Sequence, residues 1–248
     1  MPCWPLQHGF MAYGWSRETL QTLWPWVWIA LTLSISNVFD HSKRILGVLL
    51  CLTVISASAG PQREEHLADS VRIAMSSAVA DLPPPTPYLP TAQDEQAYQQ
   101  WLAHTQTLLA KKLQNKRGQV RLPELATPEL QQMFLQTVWY ESRRAALDPS
   151  LVMGLIEVES GFRKFAISSA GARGVMQVMP FWTRQLSTAN ASVLFQWQAN
   201  MRFGCVILRH YLALEQGDMN MALGRYNGSR GQLAYPQAVL AAQRRWQP

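Results

Sequence analysis

Glu159, at the end of an apolar segment, is the residue of this chain best suited to acid catalysis. Before it, Val152, Leu155 and Ile156 recur at the spacing of one helix face. Glu159 continues that face, whereas Glu157 points elsewhere and is expected to be more solvated. A carboxyl group among apolar neighbours has a raised pKa, because burial disfavours its charged form. A general acid that works near neutral pH needs such a shift.

The helix that must position this carboxyl has a clear predicted start. Asp148 is a favourable N-cap, and Pro149 suits the first helical position, where no backbone N–H is needed. A second interpretation of Glu159 remains open at this point. It could be a structural carboxylate that forms an ion pair with Arg163 or Arg173, since such pairs also perturb pKa values.

The composition indicates an anionic partner and gives no sign of a metal or cofactor. The 248 residues suit one or two domains, and the 48% hydrophobic content is enough for a sizeable core. The formal charge of +6 favours a partner such as a cell-wall polymer or acidic lipid. Nucleic acid is disfavoured, because the cations are scattered. Three cysteines form no disulfide or metal pattern, and Cys205 is predicted to be a buried free thiol.

Residues 1–59 are predicted to be an N-terminal extension that contains a signal-like segment. Lys43 and Arg44 precede the apolar residues 45–55, and Ala57-Ser58-Ala59 resembles a cleavage site. This pattern predicts export to the periplasm or cell envelope. Membrane anchoring is an alternative, although the apolar run at residues 23–35 is shorter than the roughly twenty residues that a spanning helix needs.

The rest of the chain is predicted to be helical. Residues 60–92 are interpreted as a tail and a Pro-rich linker, extended at residues 83–90. Residues 93–126 are predicted to contain an accessory amphipathic helix. Residues 127–248 contain helix after helix, beginning with Thr127 as an N-cap. The fold class is therefore all-α, or at most α+β with one small hairpin.

Several ordered segments from residue 130 to residue 246 resemble the soluble lytic transglycosylase (SLT) family. The resemblance is carried by residues 159–162, 166–180, 200–212 and 222–228. This family has a lysozyme-like fold and cleaves bacterial peptidoglycan, so the resemblance implies a lysozyme-like helical catalytic domain. The chain departs from the family at Arg163 and Lys164, where Asn-Pro is frequent, and at Gly224 and Arg225, where two alanines are frequent. The added charge would tune the preferred glycan or peptide.

The resemblance also implies roles for individual residues. Glu159 would be the single catalytic acid and base, and Tyr226 would orient either Glu159 or the substrate. The residues implied to bind the glycan are Ser168, Gln177, Met179, Tyr226, Asn227 and Tyr235. For Met179, core packing is an alternative, and Asn227 could instead cap a turn. No metal site and no cofactor are expected.

The matching segments offer no second carboxylate, although glycoside hydrolysis ordinarily uses two. Asp148 lies at the other end of the helix, while Glu215 and Asp218 resemble loop residues. The family's route uses the C6 hydroxyl of muramic acid and gives a 1,6-anhydro product. The alternatives are a lysozyme-type hydrolase and a wall-binding or assembly-associated protein. The expected partner is peptidoglycan, with the protein a monomer, and the sequence leaves room for cell-envelope machinery.

Overall fold

Helices dominate the part of the chain that the computed structural model describes, residues 62–80, 89–114 and 122–248. Within these residues, extended pairing is limited to isolated bridges, of which two join Ile167 to Arg173 and Arg173 to Val178. The all-α prediction is therefore confirmed, with the small hairpin reduced to these bridges. The α-helices are α1 Asp69–Ala80, α2 Ala92–Leu113, α3 Pro128–Arg144, α4 Pro149–Ser160, α5 Phe181–Leu186, α6 Trp197–Leu214, α7 Met219–Asn227 and α8 Ala234–Trp246. Short 3₁₀ helices span Pro123–Leu125 and Ala191–Phe195.

Helix α4 is the buried helix that carries Glu159, and it begins where the sequence predicts. The side chain of Asp148 accepts a hydrogen bond from the backbone N–H of Ser150 at 2.8 Å, and Pro149 occupies the first turn. The helix ends at Gly161, whose φ of 58° is left-handed. Helix α8 packs against α4 at Gly154, where a Cβ would lie 2.6 Å from the backbone nitrogen of Gln243. Only glycine allows this close approach.

The loop between α4 and α5 is held in shape by Asn200 of α6. The Asn200 Oδ1 accepts from the backbone N–H of Met176 at 2.7 Å. Its Nδ2 donates to the carbonyls of Arg173 and Leu194, both at 2.8 Å. Gly174 lies inside this arrangement with a φ of 77°, and a Cβ there would overlap Leu194 and Asn200. Gly174 is therefore required by packing within the loop.

Helices α1 and α2 pack onto the helices that follow them. For residues 60–80 the sequence predicts a tail or short helix, and the structure has helix α1 with Met75 and Val79 buried. Near the end of α1, the guanidinium of Arg202 pairs with Glu141 at 2.7 Å and also donates to the carbonyl of Val79 at 3.5 Å. In α2, Trp101 packs on Trp139 with ring centroids 5.3 Å apart. The described residues all fall within one compact unit.

Two predictions about the chain's organisation lie outside the described residues. These are the signal-like extension at residues 1–59 and most of the Pro-rich linker, which falls within residues 81–88. The domain boundaries at residues 92 and 126 stay predictions. Among the described helices, none is both long enough and apolar enough to cross a membrane. Cys205 is buried and free, which confirms the prediction for that thiol.

Candidate active site

Glu159 lies in the last turn of α4, where it accepts a hydrogen bond from the hydroxyl of Tyr235 at Oε1. The residue keeps partial contact with solvent. Burial nevertheless raises the pKa of its carboxyl from 4.5 to about 7, and the hydrogen bond from Tyr235 acts in the opposite direction. The raised pKa expected from the helical phase is thus confirmed. At neutral pH this carboxyl exists in both its protonated and its ionised forms.

Tyr235 reaches Glu159 from the first turn of α8, which packs along α4. The tyrosine is itself buried, with 6% of its surface exposed. Its own burial, followed by the adjacent Glu159 charge, raises the pKa of the Tyr235 hydroxyl well above its usual range. Tyr235 therefore stays protonated whenever Glu159 is ionised, and it acts as a permanent hydrogen-bond donor to that carboxyl.

Glu157 differs from its predicted solvated state. Only 12% of its side chain is exposed, and its Oε1 lies 2.8 Å from Nζ of Lys112 and 2.6 Å from Nη2 of Arg245. Its Oε2 accepts from Nε1 of Trp246 at 2.7 Å. Burial raises the pKa of Glu157, but the hydrogen bonds from Lys112 and Arg245 outweigh burial and leave the pKa lowered. Glu157 is thus an ionised anchor that joins α2 and α8 to α4.

The other acids weighed as a second catalytic carboxylate have local partners. Asp148 caps α4 and accepts from Gln243 at 2.8 Å. Glu215 pairs with Arg230 and Arg225, which lower the pKa of its carboxyl to about 2. Another acid, Asp218, accepts from a backbone N–H at 3.0 Å as the N-cap of α7.

The arginines suggested as ion-pair partners of Glu159 make other contacts. Arg163 donates through Nε to the carbonyl of Ser160 at 2.8 Å. The guanidinium of Arg173 lies over the ring of Phe195, 5.7 Å from its centroid. In the described ranges, 62–80, 89–114 and 122–248, no group of three His, Cys, Asp or Glu side chains could hold a metal ion.

The loop from residue 161 to residue 180 holds three of the predicted substrate-binding residues. Ser168 is half-buried, and its Oγ accepts from the backbone N–H of Ala172 at 3.0 Å. Gln177 is 4% exposed and has a φ of 51°. Its Nε2 donates to the carbonyls of Gly174 and Ala166, at 2.8 and 3.2 Å. Met179 is half-buried against the core. The amide of Gln177 therefore braces the loop, while Ser168 and Met179 keep surface that a ligand can reach.

Tyr226 and Asn227 lie at the end of α7. Tyr226 is almost fully buried, and its hydroxyl donates to the backbone carbonyl of Met176 at 2.8 Å. The contact with Glu159 expected for Tyr226 is made by Tyr235 instead. Asn227 is 4% exposed, and its Nδ2 has no hydrogen-bond partner among the residues that the structure describes. Substrate binding by these two residues stays a prediction.

Gln62 is a structural neighbour of the site that sequence reasoning missed. Its side-chain amide donates to the backbone carbonyl of Tyr226 and accepts from Nε1 of Trp182, the latter at 3.0 Å. Two residues later, Glu64 pairs with Arg184 at 3.3 Å. A lone polar residue so far along the chain from its partners carries no sequence pattern that could have predicted the contact.

Comparisons with known proteins converge on one family. Residues 137–245 match the family model described as "Transglycosylase SLT domain". A "Transglycosylase" of Enterobacteria phage PRD1 is 36% identical over 99 residues, which cover 38% of this chain and 36% of the phage protein. "Membrane-bound lytic murein transglycosylase C" of Mannheimia succiniciproducens is 47% identical over 47 residues, 19% of this chain and 13% of that protein. The matches thus span about a third or less of these relatives.

Among solved structures, an inactive variant of the lytic transglycosylase Slt from Pseudomonas aeruginosa aligns with a TM-score of 0.41 and 20% identity. The alignment covers 74% of this chain and 37% of that chain. The region matched by the family model contains both Tyr235 and Glu159, the donor and the acceptor of the hydrogen bond described above. Residues 137–245 of this chain are therefore similar to the transglycosylase SLT domain family, and the matched region is less than half of the chain.

Proposed function

We propose that this chain is a lytic transglycosylase that cleaves the β-1,4 bond between MurNAc and GlcNAc in peptidoglycan and leaves 1,6-anhydroMurNAc ends. The observation that carries the proposal is the shielded carboxyl of Glu159, with a pKa raised to about 7 and a fixed donor in Tyr235. Such a group can give a proton and take one back at the same pH, because an efficient general acid and base has a pKa near the working pH.

In the proposed reaction, Glu159 first protonates the glycosidic oxygen, and the bond from C1 of MurNAc to that oxygen breaks. The Glu159 carboxylate then removes the proton from the C6 hydroxyl of the same MurNAc, whose oxygen attacks C1. The proton returns to Glu159, so the enzyme is regenerated and no water is consumed. Tyr235 supports the cycle by donating to Oε1, which leaves Oε2 as the oxygen that exchanges the proton.

The hydrolase alternative requires a second carboxylate to activate water. Asp148, Glu157 and Glu215 are each engaged in a cap or an ion pair elsewhere. This engagement favours the route in which the substrate supplies its own nucleophile. For substrate binding, we propose that Ser168, Met179 and Asn227 contact the glycan. Gln177 and Tyr226 would instead stabilise the loop that binds the glycan, because their polar groups are hydrogen-bonded to the loop backbone.

Export to the periplasm or cell envelope is part of the proposal, since that is where peptidoglycan lies. It is supported by the signal-like pattern at residues 43–59. Several relatives are named as membrane-bound lytic murein transglycosylases.

The deciding experiment is mass analysis of the fragments that the purified chain releases from peptidoglycan sacculi. We expect 1,6-anhydroMurNAc ends from the wild type and a loss of release of about a thousandfold or more in Glu159→Gln, since the proposal has no other acid or base. Glu129→Gln is the matched control, because Glu129 is an exposed carboxylate of α3. Fragments with reducing ends that contain added water would instead identify a hydrolase. Binding to sacculi without any release would favour the wall-binding alternative.

A further inference from the structure

A cationic aromatic patch lies on the loop that follows α4. Phe165 and Ile167 are 60% and 65% exposed, although both are large and apolar. Soluble proteins rarely leave such residues together at the surface unless the surface binds something. The patch consists of Arg163, Lys164, Phe165, Ile167, Arg173 and Phe195. Its apolar centre is formed by Phe165 and Phe195, whose ring centroids are 5.9 Å apart.

The cations of the patch are held in place by neighbouring groups. Nζ of Lys164 lies 5.2 Å from the ring centroid of Phe165 and 5.4 Å from that of Trp197. The guanidinium of Arg173 lies 5.7 Å from the centroid of Phe195. Aromatic faces orient a cation while leaving its N–H groups unused by a carboxylate of the protein. The patch therefore presents positive charge beside apolar surface in a defined arrangement.

The patch contacts the C-terminal end of α4, the helix that carries Glu159. Arg163 donates through Nε to the carbonyl of Ser160, the residue next to Glu159, at 2.8 Å. The loop then passes through Lys164 and Phe165 to Ser168, the proposed glycan contact. A groove of about 350 Å³ borders the patch, and its other wall is formed by Leu122, Pro123 and Glu124. Among the residues that line this groove, Glu124 is one carboxylate opposite the two cations Arg163 and Lys164, so the lining keeps a net positive charge.

We propose that this patch binds the acidic stem peptide of peptidoglycan, an inference that rests on the proposed function. The stem is attached to the lactyl group of MurNAc, the sugar whose bond would be cleaved beside Glu159. It carries free carboxylates for the cations, and methyl side chains for the ring of Phe165. The patch would make the enzyme prefer strands that still carry their peptides.

The test compares glycan strands that carry stem peptides with strands stripped of them by an amidase. In the double variant Lys164→Gln/Phe165→Ala, we expect the ratio of kcat/KM on stem-bearing strands to that on stripped strands to fall about tenfold. Lys111→Gln/Met133→Ala is the matched control. It removes the same kind of charge from α2 and a side chain of similar exposure, 59%, from α3. The control should keep the wild-type ratio.

A second comparison uses strands whose stem peptides have had their carboxylates amidated. The wild type should lose most of its preference for these stems, and the double variant should lose little more, because both changes remove the same charge pairing. An equal loss by the variant on both kinds of strand would overturn the proposal, since the loop would then serve catalysis alone. An unchanged ratio would also overturn it and would favour another occupant, such as a protein partner.

If the proposed function itself is wrong, the experiment gives a different result from the failures described above. The wild type would then release no anhydro ends from either kind of strand. In that case the patch can still be tested by titrating a soluble stem peptide against the wild-type protein and the double variant, following backbone amide signals of the loop by NMR. Weaker binding by the variant would support the patch, and equal binding would overturn it.

Discussion

The hydroxyl of Tyr235 donates to Oε1 of Glu159 across 76 residues of sequence, and this bond joins the first turn of α8 to the last turn of α4. Burial raises the pKa of the Glu159 carboxyl to about 7, while the bond from Tyr235 limits the rise. In the proposed reaction Tyr235 keeps its proton, so Oε2 would be the oxygen of Glu159 left to exchange one. Glu159 and Tyr235 therefore form one hydrogen-bonded unit, and mutating each residue in turn tests what that residue contributes.

Tyr235→Phe should raise the pKa of Glu159 above about 7, since it removes the hydrogen bond that stabilises the ionised form. We expect the alkaline limb of the pH–kcat/KM profile to move to higher pH. The maximum rate should fall about tenfold, because the carboxyl loses its fixed orientation. Release of anhydro fragments, measured from pH 5 to pH 9, checks both effects. An alkaline limb at lower pH would contradict this role of Tyr235.

Tyr226→Phe should behave differently, because the hydroxyl of Tyr226 donates to the backbone of Met176. Removing it leaves a buried carbonyl without that donor, at a cost of about 1–3 kcal/mol in the free energy of unfolding. The alkaline limb should stay where it is in the wild type. Chemical denaturation together with the same pH profile distinguishes the two tyrosines. A shifted limb in Tyr226→Phe would indicate that this hydroxyl, too, reaches Glu159.

The raised pKa of Glu159 also makes stability depend on pH. The folded protein holds this proton up to about pH 7, whereas the unfolded chain releases it near 4.5. The free energy of unfolding should therefore fall as pH rises through this window, by up to about 3 kcal/mol from this residue. Glu159→Gln removes the effect, so the variant should match the wild type near pH 4 and exceed it at pH 8. Urea unfolding at several pH values measures the difference, and equal pH dependence of both proteins would contradict it.

Gly174→Ala should be among the most damaging single changes in the loop. The new Cβ would overlap the carbonyl of Leu194 and the amide of Asn200, and the φ of 77° adds strain. We expect a loss of about 3 kcal/mol or more in the free energy of unfolding. Gly171→Ala is the control: its φ is 89°, but no atom lies within 4 Å of the new Cβ. Its cost should be limited to about 1–2 kcal/mol of backbone strain. Similar losses for both variants would argue against the overlap.

The sequence was sufficient to predict α4 and its acid, because both depend on local features. The cap at Asp148 and the apolar period up to Ile156 fix where the helix starts and which face is buried. The phase of that face then predicts the shielded carboxyl of Glu159. By contrast, the burial and ionised state of Glu157 depend on Lys112 and Arg245, which belong to other helices. Local periodicity carries no information about such partners.

The same distinction between local sequence features and three-dimensional packing applies to the site residues. Tyr226 and Tyr235 both follow from the family resemblance, but their helix orientations decide which hydroxyl reaches Glu159. Gln177 was expected to contact glycan, and its amide is bonded to two loop carbonyls. A motif identifies the residues that meet around a cleft, while three-dimensional packing determines which polar atoms stay available to a substrate.

The contact between Gln62 and Trp182, 120 residues apart, bears on how this protein can be shortened. A truncated chain starting at residue 127 would leave the Trp182 indole and the carbonyl of Tyr226 without the partners that Gln62 provides. It would also strip Arg202 of its contact with the end of α1. A fragment that keeps these contacts must therefore reach back to at least Gln62, well before residue 137, where the family match begins.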